Sequence, residues 1–222
     1  GVNRYSDKEL NLTLNLTEKR VGNRNALLEQ LEDTLAWRVG HETAYDQLDH
    51  YRRMASDILL GSPVRKAYDL ESEDPRIRAM YGDHMGGQSL LLSRRLVEAG
   101  VPVVQAVCSA SDLAGGGGDN WDTHRDHFPK MKNRLLPVFD RSASALLTDL
   151  EMRGMLDDTL VIWGGEFGRT PFIQGDIKNR PRWGRDHHPY AFTIWMAGGG
   201  VKPGMTWGAS DDLGFNAAVD PV

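Results

Sequence analysis

"TLVIWGGEFGRTP", residues 159–171, decides how the fold is read. Its first seven residues are mostly apolar, β-branched in part, and stop at two glycines, the pattern of a strand buried in a parallel sheet. Glu166 follows at the last step of that strand. Upstream, a long helix is expected from about 126 to 153, with Leu135, Phe139, Leu146 and Leu150 on its inner face and Gly154 breaking it. Before that helix stands VPVVQAV, 101–107, a second short apolar run, and downstream YAFTIWMAGGG, 190–200, gives a third. Strand, helix, strand is a βαβ unit. The expectation is therefore an α/β fold with a mainly parallel sheet flanked by helices.

The first hundred residues read as helical. In RNALLEQLEDTLAWRV, 24–39, Leu27, Leu31, Leu35 and Val39 recur every four residues, the stripe of an amphipathic helix. A second helix is expected over 41–61, stopped by Gly61 and Pro63, and a third over 84–99, stopped by Gly100. Tyr45, His50, Tyr51 and His84 read as packing or surface residues on these helices. The chain thus divides into a helical N-terminal portion, 1–83, and an α/β portion, 84–222.

A chain of 222 residues is long enough to bury a real core. Its net charge of −5 argues against general nucleic-acid binding. The single cysteine, Cys108, excludes an intrachain disulfide and a cysteine-built zinc site, and it reads as a packing residue at the end of a strand. No apolar run approaches the ~20 residues that span a bilayer. The sequence opens without Met, and it is expected to be part of a longer protein.

In parallel α/β sheets, ligands bind beyond the carboxyl ends of the strands. Polar clusters fall at those places here. GGGGDNWDTH, 115–124, follows the first strand, Glu166 and Arg169 follow the second, and RPRWGRDHHP, 180–189, precedes the third. Asp122, His124, Glu166, Asp186, His187 and His188 are the candidate metal ligands, since carboxylate and imidazole together suit Zn, Mn or Fe better than Ca. Arg169, Arg180, Arg182 and Arg185 flank them, and planar guanidinium groups suit phosphate or sulfate. Each piece has an ordinary reading as well. A D-x-H triplet before a helix is more often surface than ligand, and Asp122 could cap that helix. The glycine run lacks a following Lys-Ser/Thr and reads as a flexible loop.

A resemblance adds to this. GQSLLLSRRLVEAGVPVVQAV, NWDTH, LLPVFDRSASALLTDLEMRGMLDDTLVIWGGEFGRTP, GRDHHPYAFTIWMAGGGVKPG and ASDDLGFNAAVDPV resemble the domain of unknown function 1501 family, a bacterial group similar to sulfatases. That resemblance implies an alkaline phosphatase-like fold with a helical N-terminal portion. Asn120, Asp122 and His124 resemble the superfamily's Asn-x-Asp loop with its nearby His; Asp126 and His127 are substitutes for His124. Glu166 stands where the superfamily has Asp, Phe167 where it has a metal-binding His, and Gly168 keeps the third position. His187 or His188 resembles the later His. The superfamily's nucleophile and a further metal-binding Asp precede its helical region, and nothing in 1–100 resembles them.

The implied function is metal-dependent hydrolysis of a small-molecule or glycan sulfate or phosphate ester. Zn or Mn would be the ion, Arg169 and Arg185 would hold the oxyanion, and the nucleophile would lie outside this chain. The alternative is a non-catalytic module of an exported assembly that kept the fold and lost the chemistry. The resemblance also implies a periplasmic or extracellular protein.

Overall fold

The computed structural model describes residues 18–35, 51, 63–109 and 120–220. The helix expected over 41–61 and the glycine run 115–118 lie outside the described residues, Tyr51 apart. The chain contacts form two compact units, one of 1–4, 74–94 and 106–222 and the other of 5–73 and 95–105.

In the second unit, helix α1 (Glu18–Leu35) covers the described part of the first expected helix, and its Leu27 and Leu31 stand exposed. Helix α2 (Pro63–Ala67) is followed by a 3₁₀ turn, Leu70–Ser72. Arg95 closes this corner. It donates to the carbonyls of Lys66 and Ala67 at the end of α2, at 2.8 and 2.9 Å, and pairs with Glu73 at 2.9 Å. A cation on the last carbonyls of a helix satisfies acceptors that the helix itself leaves open.

The first unit holds helices α3 (Pro75–Tyr81), most of α4 (Met85–Glu98), α5 (His127–Lys130) and α6 (Leu136–Met152), the last two joined by a π-helical turn, Met131–Leu135. Asp74 caps α3 by accepting from the Arg76 N–H. His84 caps α4 in the same way, its Nδ1 accepting from the Gly87 N–H at 3.0 Å. Gly87 has no room for a side chain, because a Cβ there would overlap the Tyr81 carbonyl.

Helix α6 packs on α3, and of the expected inner face Leu146, Leu150 and, in the π-helical turn, Leu135 are buried while Phe139 is half-buried. A buried polar group is set into that packing. Asp149 accepts from Tyr81 Oη at 3.0 Å and pairs with Arg94 at 2.8 Å and Arg153 at 2.7 Å. Burial and the Asp149 charge push the Tyr81 phenol far above its ordinary value, so it stays a donor.

Six short strands follow among the described residues: β1 (Val161–Trp163), β2 (Gly168–Arg169), β3 (His187–His188), β4 (Trp195–Ala197), β5 (Ala209–Ser210) and β6 (Ala217–Val219). They pair as β1·β4, β2·β3 and β5·β6, all antiparallel. The runs 159–165 and 190–200 therefore each contain a strand, but these two pair with each other antiparallel, where the sequence reading expected parallel neighbours. Residues 101–107 form no strand, and Val103 and Val107 are exposed. Apolar periodicity marks a segment fit for a sheet and carries no information on the direction of its partner.

Candidate functional site

The loop 120–127 is fixed at both ends. Asn120 Oδ1 accepts from the Asp122 N–H at 3.1 Å, a local turn. Trp121 turns away from Asp122 and anchors the loop. Its Nε1 donates to the Cys108 carbonyl at 2.6 Å, and its ring meets Phe139 of α6 and Trp163 of β1, both edge to face at 6.1 Å. Thr123, fully buried, shares a 2.6 Å hydrogen bond with His127. Burial and then the Arg185 and Arg169 charges hold His127 below its ordinary pKa. His127 thus secures the loop. Asp126 takes the left-handed conformation ahead of α5 and pairs with Arg182 at 3.2 Å.

The segment 182–188 lies along this loop. Arg185 N–H donates to the Thr123 carbonyl at 3.2 Å and His127 N–H to the Trp183 carbonyl at 2.9 Å. Gly184 exchanges two backbone bonds with Gln174, at 2.8 and 2.9 Å. At 184 only glycine fits, since a Cβ would overlap the His124 carbonyl and crowd Arg125 N. The β2·β3 ladder then sets Arg169 opposite His187.

The result is a convergence of Asp122, His124 and His187. His124 Nε2 lies 2.9 Å from Asp122 Oδ1, His187 Nε2 lies 3.2 Å from the same oxygen, and the two Nε2 atoms are 3.2 Å apart. Two ligand atoms at ~2.1 Å from a zinc ion stand about 3.4 Å apart in a tetrahedral shell, and about 3.0 Å apart in an octahedral one. The triangle has the size of one face of either polyhedron. These three residues could hold a metal ion.

The other sequence candidates take different places. Glu166 Oε1 is 3.1 Å from His187 Nδ1, the ring nitrogen facing away from the triangle. Asp186 Oδ1 accepts from the His187 N–H at 2.8 Å and lies 3.6 Å from His124 Nδ1. His188 is buried and packs on the Tyr190 ring. Successive strand residues face opposite sides, so β3 offers His187 to the triangle and turns His188 from it. The guanidinium of Arg169 donates to the carbonyls of Trp121 and Arg185 and, at 3.1 Å, to Asp122 Oδ1. Arg185 donates to the Thr170 carbonyl and lies over the Phe128 ring at 5.5 Å. Both arginines bind backbone, with Arg169 also touching the triangle. Desolvation pulls the Asp122 carboxyl up, but the Arg169 hydrogen bond and the charges of His124, Arg169 and His187 outweigh it and hold the group below its ordinary pKa.

Gln174 is the contact the sequence reading missed. Its Oε1 lies 2.8 Å from His124 Nδ1. An exposed glutamine 50 positions from its partner leaves no local signal.

Residues 3–222 match the family described as "Protein of unknown function (DUF1501)". The chain belongs to the DUF1501 family. No curated protein and no solved structure matches it. The family match covers nearly the whole DUF1501 chain, all but the first two of residues 1–83 included. No helix among the described residues is long and apolar enough to cross a membrane.

Proposed function

We propose that this DUF1501 protein is a metal-dependent hydrolase of sulfate or phosphate esters, built on an alkaline phosphatase-like α/β fold. The observation that carries the reading is the triangle of Asp122 Oδ1, His124 Nε2 and His187 Nε2 with edges of 2.9–3.2 Å. A divalent ion held there, Zn or Mn, would offset charge on the ester oxygens. Carboxylate and imidazole in one ligand set suit those ions. The carboxylates of Asp122, Glu166 and Asp186 gather at the triangle against the guanidinium of Arg169, a local excess of negative charge among the described residues that favours a cation. Arg169 keeps a positive charge beside Asp122, where an ester oxyanion would dock, and Arg185 holds the backbone of that strand pair in place.

Phe167 favours a second reading, a non-catalytic module of an exported assembly. Its ring lies 6.2 Å from the His187 ring, at the position where the superfamily pattern has a His ligand. The test is turnover of aryl sulfates and aryl phosphates by the native full-length protein and its Asp122→Ala variant. The hydrolase reading expects turnover that falls at least about 100-fold in the variant, since the ion's charge stabilisation is lost. Bound metal with no turnover of either ester class would support the non-catalytic module.

A further inference from the structure

Glu166 and Gln174 make the same contact on two different histidines. Glu166 Oε1 lies 3.1 Å from His187 Nδ1, and Gln174 Oε1 lies 2.8 Å from His124 Nδ1. A carboxylate oxygen and an amide oxygen only accept hydrogen bonds. Each ring must therefore carry its proton on Nδ1. In the neutral form, which is the form that binds a metal, each ring then has its single N–H on Nδ1 and its lone pair on Nε2. These are the two nitrogens that stand 3.2 Å apart and 2.9 and 3.2 Å from Asp122 Oδ1. Neutral rings then set three electron-pair donors against one another, and either protons on Nε2 or a metal ion among the three relieves the repulsion.

We infer that Glu166 and Gln174 are positioning residues, which fix the Nδ1–H tautomers of His187 and His124 and so aim two Nε2 lone pairs at the ion. The inference rests on the metal centre proposed above and changes the role expected of Glu166 from ligand to orienting partner. Carboxylate or carbonyl groups on the outer nitrogen of a metal-binding histidine fix its ring and raise its basicity, and losing one costs 10–100-fold in metal affinity. Glu166 is largely exposed, which places its effect toward the lower end of that range. Gln174 is fixed by the paired backbone bonds between residues 174 and 184, which hold its Cα while the side chain reaches His124.

Two measurements on the full 222-residue chain test this. Long-range ¹H–¹⁵N spectra of the metal-free protein, taken above the pH at which either ring protonates, read the tautomers directly. The expected result is Nδ1–H for His124 and His187 in the wild type, lost at His187 in Glu166→Leu and at His124 in Gln174→Leu, with Glu166→Gln and Gln174→Glu restoring it. Titration with Co²⁺ alone gives the second. Glu166→Leu and Gln174→Leu should each weaken binding about 10-fold or more while leaving the d–d absorption band in place, whereas His187→Ala should alter the band. Nε2–H tautomers in the wild type would overturn the inference, as would a Glu166→Leu variant whose band changes as in His187→Ala, because Glu166 would then be a ligand. Unchanged affinity in both Leu variants would overturn it too. Nδ1–H tautomers without Co²⁺ binding by the wild type would instead refute the metal reading and leave the tautomer assignment standing.

Discussion

Replacing Gly184 with alanine should damage the fold and the candidate site together. The new Cβ would overlap the His124 carbonyl and crowd Arg125 N, and both are backbone atoms that cannot rotate away. One of the two segments must move. The bonds at risk are Arg185 N–H to Thr123, His127 N–H to Trp183, and the pair between residues 174 and 184. Losing two of them at ~1 kcal/mol each, with some overpacking strain, gives about 2–4 kcal/mol. Equilibrium urea unfolding reads this. With a slope of about 2 kcal/mol/M, the midpoint should fall by about 1–2 M. The same shift would move His124, whose carbonyl is the atom struck, so affinity for Zn²⁺ should fall with stability. A Gly184→Ala protein with an unchanged midpoint and unchanged Zn²⁺ affinity would refute the claim that this close approach builds the site.

Trp121→Ala should lower stability by about 2–4 kcal/mol, because it removes two ring contacts and the bond to the Cys108 carbonyl; thermal unfolding measures it, and a loss under 1 kcal/mol would contradict the anchoring role. Asp149→Asn removes the carboxylate from the buried pair with Arg94, and a loss of about 3–5 kcal/mol is expected in urea unfolding. Acid should weaken the start of α4. Burial, then Arg141, lowers the folded-state pKa of His84, so the unfolded chain binds the extra proton more readily and stability is lost as pH falls below the ordinary histidine value toward the folded one. Since one cap contributes about 1 kcal/mol, unfolding followed from pH 7.5 to 5 should show a loss of that order that His84→Asn, which caps without titrating, does not share.

Two of the helices were legible because leucine spacing and glycine stops are local signals, whereas Pro63–Ala67 and Pro75–Tyr81 are too short to show a period. Met85–Glu98 and the long segment ending at Met152 fall where the periodicity places them, and Gly100 and Gly154 both take positive φ. Sheet pairing depends on partners far along the chain. VPVVQAV has the composition of a strand, but Pro102 lacks the N–H that a ladder needs, and the segment forms no strand. At the site, Asp122 and His124 were legible as a D-x-H pair. The choice between His187 and His188 needed the strand, whose alternation turns them apart. The placement of Glu166 on the outer nitrogen of His187 joins two residues far apart along the chain, which no spacing in the sequence reveals.

Everything proposed for the site depends on a metal ion held by Asp122, His124 and His187. The most direct test is titration of the metal-free protein with Zn²⁺ against a chromophoric chelator, beside Asp122→Ala. One ion per chain is predicted, with affinity at least about 10²-fold lower in the variant, since removing one ligand leaves the ion under-coordinated. Zn²⁺ bound equally by wild type and variant, or by neither, would contradict the account.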